Sequence, residues 1–241
     1  MQWELAAGSC WLQTAQPFRA YSSNSTEDTG GNAFISPAQD QKGCAACVGF
    51  AVTDAAEAAV NVYKQQSWDK LSLSEQDFSF CRMEPRVNCD AGADLEGILR
   101  QVASGRISGL APRSYYAYIA GPGPPLDCLR ARGCPSQLPA EEDFSMAYDG
   151  NSLDTMAKVK QQIMLNGGVL TSMAFGPTDS FKRYDGKAAG AVYDPSDITD
   201  GTEPELHALF CYGWSDSVGQ LGEGSWLCKT AGAPHGASTA M

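Results

Sequence analysis

The chain has 241 residues, 43% of them apolar and 19% charged, which is the balance of a folded globular protein of one or two domains. Its 17 basic against 28 acidic side chains give a formal charge of −11, and the isoelectric point is about 4.5. That field disfavours nucleic acid and anionic membrane surfaces as partners, and no apolar run approaches the roughly 18 residues a membrane-spanning helix needs.

Residues 1–34 read as irregular, and Tyr21 to Asn32 is a polar run without periodicity. The first residues carry neither a basic segment nor an apolar core of a signal peptide, so the chain is expected to be a mature or excised piece. Asn24-Ser25-Thr26 is a glycosylation sequon at Asn24. From Cys47 to Gln66 the spacing of Phe50, Ala51, Ala55, Ala59, Val60 and Tyr63 predicts a buried amphipathic helix. Ser74 is a candidate N-cap of a short helical turn, and Asp94 to Val102 reads as a helix ended near Gly105. Residues 119–139 are dense in Pro and Gly and suit a loop or a crossing between lobes. Ser152 to Asn166 is helical, with Leu153, Met156, Val159 and Ile163 on one stripe, and Gly167-Gly168 ends it. Val169 to Phe175, Ala208 to Trp214 and Ser225 to Thr230 read as strands. A helix-rich front and a strand-rich back predict an α+β fold in two lobes, without internal repeats.

The nine cysteines are Cys10, Cys44, Cys47, Cys81, Cys89, Cys128, Cys134, Cys211 and Cys228. An odd number leaves one thiol over. Together with the sequon, this count favours a secreted, vacuolar or lysosomal, or cell-surface protein. Cys44-Ala45-Ala46-Cys47 has three readings. It is half a zinc site, although no second ligand pair stands at zinc spacing. It is a redox pair, although a loop precedes it rather than a strand. Or Cys47 is a nucleophile, placed at a helix start where the dipole favours a thiolate. Of the two histidines, His235 sits in a tail-like segment, and His207 opens an apolar strand where a structural imidazole is the plainer reading.

The local sequence resembles the papain-like cysteine peptidases. Pro37 to Cys47, with Gln41 six residues before Cys47, is similar to that family's Pro-x-x-x-Gln-x-x-Cys-Gly-Ser-Cys-Trp segment. Leu73-Ser74-Glu75-Gln76 with Cys81 resembles its Leu-Ser-Glu-Gln block, and Cys89-Asp90-Ala91-Gly92 its Cys-x-Gly-Gly. Tyr115 to Tyr118, His207-Ala208 with Tyr212-Gly213-Trp214, and Trp226 to Thr230 resemble further blocks in family order. The set covers about residues 35–231.

The resemblance implies a two-lobed papain-like fold, with a cleft between a helical lobe (about 44–130) and a β-barrel-like lobe (about 131–241). Residues 35–241 would form the domain, and residues 1–34 an extension packed on the C-terminal lobe. It implies a thiol endopeptidase with Cys47 as nucleophile, His207 as base and later acid, and Gln41 with the Cys47 N–H as oxyanion hole. Thr230 stands where the family has the Asn that orients the histidine. Gly92 and Ala91 would face an extended peptide. Met173 and Leu206 would contribute to substrate binding. Cys44 would pair with Cys89 and Cys81 with Cys128; Cys211 with Cys228 and Cys10 with Cys134 complete the set. No cofactor or metal is implied; the partners are a peptide or protein substrate and a proteinaceous inhibitor. The alternative is a catalytically silent module of the same fold that binds a peptide or partner in an extracellular assembly.

The chain departs from the family pattern at several points. Val48 replaces the Trp after the nucleophile, and Thr230-Ala231-Gly232-Ala233 replaces Asn-Ser-Trp-Gly. The chain stops eleven residues after Thr230, so the family's closing strands are expected to be missing, or their edge filled by residues 1–34.

Overall fold

The computed structural model describes residues 20–107, 109–121, 128, 153–175, 192 and 193, 205–216, 224–231 and 238–240. The chain begins with a short strand, β1 (Ala20–Ser22), and a turn-rich segment. Helix α1 (Cys47–Lys64) follows, then a 3-10 turn (Trp68–Lys70) and a short α2 (Glu75–Asp77) that widens into a π-helical turn (Phe78–Arg82). Next come α3 (Leu95–Ala103), α4 (Leu153–Asn166) and the strands β2 (Val169–Phe175), β3 (Glu205–Ser215), β4 (Ser225–Lys229) and β5 (Ser238–Ala240).

Local sequence sets several of these boundaries. The Ser74 hydroxyl accepts from the Asp77 N–H at 2.9 Å, and the Asp94 carboxylate accepts from the Gly97 N–H at 2.8 Å, so each satisfies a donor that the first helical turn leaves open. Gly105 takes a left-handed φ of 72° just past α3.

The sheet is antiparallel throughout and is organised around β3. One edge of β3 is shared end to end: β2 pairs with Glu205 to Cys211 and β1 with Gly213 to Ser215. The other edge pairs with β4, and β4 pairs in turn with β5. Two expectations are corrected here. Residues 20–22 are a strand rather than irregular, because β3 supplies the hydrogen bonds that so short a segment cannot supply itself. The chain after Thr230 also returns to the sheet as β5, so this edge does not end at β4.

Helix α1 is packed between two surfaces. Its first turns join Phe78, Phe80, Leu110 and Tyr118 in the core of the helical lobe. Further along, Ala58 joins Phe34, Ile35, Phe210 and Tyr212 against the sheet. Burial therefore runs almost all round the helix and includes the polar side chains Thr53, Asp54, Glu57 and Asn61. Tyr63, expected on the buried stripe, is 84% exposed. A single-stripe reading presumes one covering surface, and by the last turn of α1 neither surface reaches Tyr63.

The buried polar groups are connected. Lys229 Nζ lies 2.6 Å from Asp54 Oδ1 and donates to Ser36 Oγ at 2.9 Å. Ser36 Oγ donates to Glu57 Oε2 at 2.9 Å, and Glu57 Oε1 accepts from the Leu73 N–H at 2.7 Å. Burial, reinforced by the neighbouring Asp54 charge, pushes the Glu57 carboxyl up to about 7.

Cysteines close the remaining loops. Disulfides join Cys44 to Cys89, Cys81 to Cys128 and Cys211 to Cys228, the last between directly paired residues of β3 and β4. Cys10 and Cys134 lie outside the described residues.

Two outcomes are expected. A Cβ at Gly213 would meet the Tyr21 carbonyl oxygen at 2.5 Å, a backbone contact that cannot swing aside. Gly213→Ala should therefore loosen β1 from β3 and cost about 1–3 kcal/mol in a urea melt. Glu57 binds its proton more tightly folded than unfolded, so its contribution is present below about pH 4.5 and is lost as pH rises through about 7. Glu57→Gln should then gain about 1–3 kcal/mol relative to the parent chain between these two pH values, read from paired urea melts.

Candidate active site

Cys47 is the first residue of α1, and its sulfur is unbridged and buried. The residue before the helix is Ala46, which offers no side-chain cap, and the first turn holds no acidic residue. The N–H groups of that turn thus keep their partial positive charge for whatever anion forms beside them, a thiolate or an oxyanion. With Cys44 bonded to Cys89, a Cys44–Cys47 bridge is excluded in this state. Among the described residues no cluster of metal-ligating side chains occurs.

The segment before the helix is fixed from three sides. The Ala45 N–H donates to the Cys89 carbonyl at 2.9 Å beside the Cys44–Cys89 bond. The Tyr118 hydroxyl donates to the Gln41 carbonyl at 2.9 Å, and its ring packs edge-on against Phe50 of α1. Burial pushes the Tyr118 phenol up to about 12, so it remains a donor across the ordinary pH range. The Gln41 side-chain oxygen is buried and has no hydrogen-bond partner among the described residues. Ala91 is exposed and Gly92 half-buried. Gly92 holds φ at +74°, and a Cβ there would crowd the Ala45 carbonyl oxygen at 3.3 Å, so glycine is required for the loop to lie this close to the Cys44–Cys47 segment.

The second half of the site comes from the sheet. His207 is on β3, opposite Met173 of β2, and both side chains are buried. His207 Nε2 is in a short hydrogen bond with Thr230 Oγ1. Thr230 reaches the imidazole because it directly follows β4, the strand beside β3. Thr230 Oγ1 also donates to the Ala231 carbonyl at 3.2 Å. With the hydroxyl proton on that carbonyl, Oγ1 accepts from Nε2–H; the roles at this contact follow the tautomer of the ring. A neutral imidazole held this way carries its proton on Nε2 and leaves Nδ1 as the acceptor. Burial pulls His207 down to about 4, opposed in part by the Ala231 carbonyl, so the ring is neutral through most of the acid range. Leu206, one residue earlier and opposite Ala174, is 70% exposed.

The two halves meet in one core. Cys47 belongs to the same contiguous buried cluster as Ala208 and Ala231, the residues that follow His207 and Thr230. Val48 and Ala231, where the family pattern differs, are both buried aliphatic positions. Asn24 is exposed in the turn after β1, and His235 lies outside the described residues. Three participants escaped sequence reasoning: the Tyr118 hydroxyl, the Ala231 carbonyl and the Asp54–Lys229 pair. Tyr118 and Lys229 carried a signal, since each stands in a block that resembles the family, Tyr115 to Tyr118 and Trp226 to Thr230.

A family model described as papain family cysteine protease matches residues 23–232. No curated protein sequence matches the chain. Among solved structures, the bromelain protease from Ananas comosus, in complex with the E-64 inhibitor, is 19% identical with a TM-score of 0.60, covering 92% of this chain and 87% of its own. A Carica candamarcensis cysteine protease, also in complex with E-64, is 22% identical with the same TM-score and coverage. Digestive procathepsin L 3 of Tenebrio molitor larval midgut is 16% identical, with a TM-score of 0.58, covering 93% of this chain and 64% of that one. At these identities the structural likeness shows a shared two-lobed α+β fold, and the family model, matched over most of the sequence, shows descent: this chain belongs to the papain family of cysteine proteases.

Proposed function

We propose that the protein is a thiol endopeptidase that cleaves peptide bonds through an acyl-enzyme on Cys47. The observation that carries this reading is an unbridged sulfur at an uncapped helix start, in the same buried cluster as the neighbours of a histidine whose Nε2 is already engaged.

The chemistry follows from those groups. His207 Nδ1 takes the Cys47 thiol proton as sulfur attacks the scissile carbonyl carbon. The oxygen that becomes negative is met by the Cys47 N–H and the Gln41 side-chain amide, in the field of the α1 N-terminus. His207 then gives its proton to the leaving amine, and a thioester remains. Water, deprotonated by the same imidazole, attacks the thioester and releases the acid and the thiol. Thr230 accepts from Nε2–H throughout and keeps the ring oriented. An extended peptide would run past Gly92 and Ala91 with main-chain hydrogen bonds, and Leu206 and Met173 would meet its side chains.

In this reading residues 35–241 are the peptidase domain, and residues 1–34 an extension joined to the C-terminal lobe through β1. Three disulfides and an exposed Asn24 sequon support export to a secreted, vacuolar, lysosomal or cell-surface setting, with Asn24 glycosylated. A proteinaceous inhibitor is the expected partner besides the substrate. The second reading, a silent peptide-binding module, is favoured by one observation: the aromatic residues that the family pattern places beside the catalytic pair are Val48 and an alanine-rich segment here. Against it, His207 is 9% exposed without them.

A peptidyl epoxide directed at thiols should label the chain one to one at about pH 6, and Cys47→Ala should remove the labelling. The rate should fall on the acid side only as His207 protonates near its depressed value of about 4; slow labelling that rises only at alkaline pH would establish the silent module. Thr230→Val keeps the shape and removes the acceptor. It should lower kcat roughly tenfold to a hundredfold with KM little changed, measured on a fluorogenic peptide.

A further inference from the structure

The site is built from two separate pieces of chain, α1 with Cys47 and the β3–β4 pair with His207 and Thr230. Something must fix their separation, since a shift of about 1 Å between nucleophile and base costs on the order of a hundredfold in rate. Apolar packing resists separation but tolerates sliding. A buried ion pair with short, directional contacts does not.

One such pair spans the two pieces. Lys229 closes β4, is 4% exposed, and is bonded in the chain to Thr230. Its ammonium is 2.6 Å from Asp54 Oδ1, two turns along α1 from Cys47, and 2.9 Å from Ser36 Oγ. Ser36 is held by Glu57, also on α1, and Glu57 by the Leu73 N–H. The other charges that bear on this cluster are Glu75 of α2 and Arg113, which contact each other at 3.3 Å. We propose that Lys229 and Asp54 are positioning residues: the pair pins the end of β4 to α1 and thereby sets where Thr230 holds His207 relative to Cys47. Neither residue touches a reacting atom; both act through Thr230.

This inference deepens the peptidase reading and rests on it for the kinetic arm alone. The experiment uses the full chain with two changes. Asp54→Leu combined with Lys229→Met replaces the pair by apolar side chains, an exchange that buried ion pairs often tolerate without unfolding. Asp54→Asn keeps shape and one acceptor oxygen for Lys229, and decides the matter at a temperature where it is folded if the double variant does not fold. The structural readout is the proton resonance of His207 Nε2–H, identified by its loss in Thr230→Val. In a folded variant it should shift or vanish by exchange with water. The kinetic readout is a fall in kcat of tenfold or more with KM within about twofold, paralleled by slower alkylation of Cys47 by iodoacetamide. A folded variant with the parental resonance overturns the proposal, whatever its activity, because the pair then serves stability only. If the parent chain neither hydrolyses peptide nor labels rapidly, the peptidase reading fails, and the resonance still decides whether the pair positions the ring.

Discussion

The enclosure of α1 is the constraint on which the rest of this structure depends. The helix is in contact with the helical lobe along one side and with the sheet along the other, and nearly every residue from Cys47 to Asn61 is inside. A helix so placed cannot rotate or slide without disturbing both lobes at once. Its N-terminus is therefore a fixed point, and the first residue there is the unbridged cysteine. The Cys44–Cys89 bond and the Ala45 to Cys89 hydrogen bond anchor the chain just before that point.

Burial has an electrostatic consequence that the fold answers with paired groups. Asp54, Glu57, Glu75 and Lys229 are all nearly inaccessible, an arrangement that is costly unless charges meet charges or hydrogen-bond donors. Asp54 meets Lys229, Glu75 meets Arg113, and Glu57 takes donors from Ser36 and Leu73. Burial pushes the carboxyl groups upward while their cationic neighbours pull back, and the nearby Asp54 charge adds to the upward push on Glu57. These contacts join α1, the Ser36 segment, the Leu73 segment and β4 across the line where the two lobes meet.

At the site itself, the same dry surroundings select the protonation states. His207 is kept neutral by burial, and its ring is held by the Thr230 hydroxyl and the Ala231 carbonyl. Thr230 stands where the family pattern has a longer amide, and its hydroxyl is bonded to the ring. It reaches the ring because the β3–β4 pairing brings the end of β4 against it, so side-chain length is exchanged for backbone proximity.

Much of this was legible in the sequence. Periodicity and caps located α1, α3 and α4; short apolar runs located β2, β3 and β4; and the ordered blocks around Cys47, Cys89 and His207 carried the family, because each encodes a local backbone or side-chain requirement. What the sequence determined were thus features settled within a few residues: where helices start, which cysteine stands at a helix mouth, which histidine lies in a strand. Tertiary structure decided the rest. Ala20 to Ser22 and Ser238 to Ala240 become strands only because β3 and β4 offer open edges. Tyr63 faces outward because the covering surfaces end before it. Asp54 and Lys229, 175 residues apart, become a pair only when α1 is sealed against the sheet, and no local pattern can announce a contact whose two halves are brought together by the packing of everything between them.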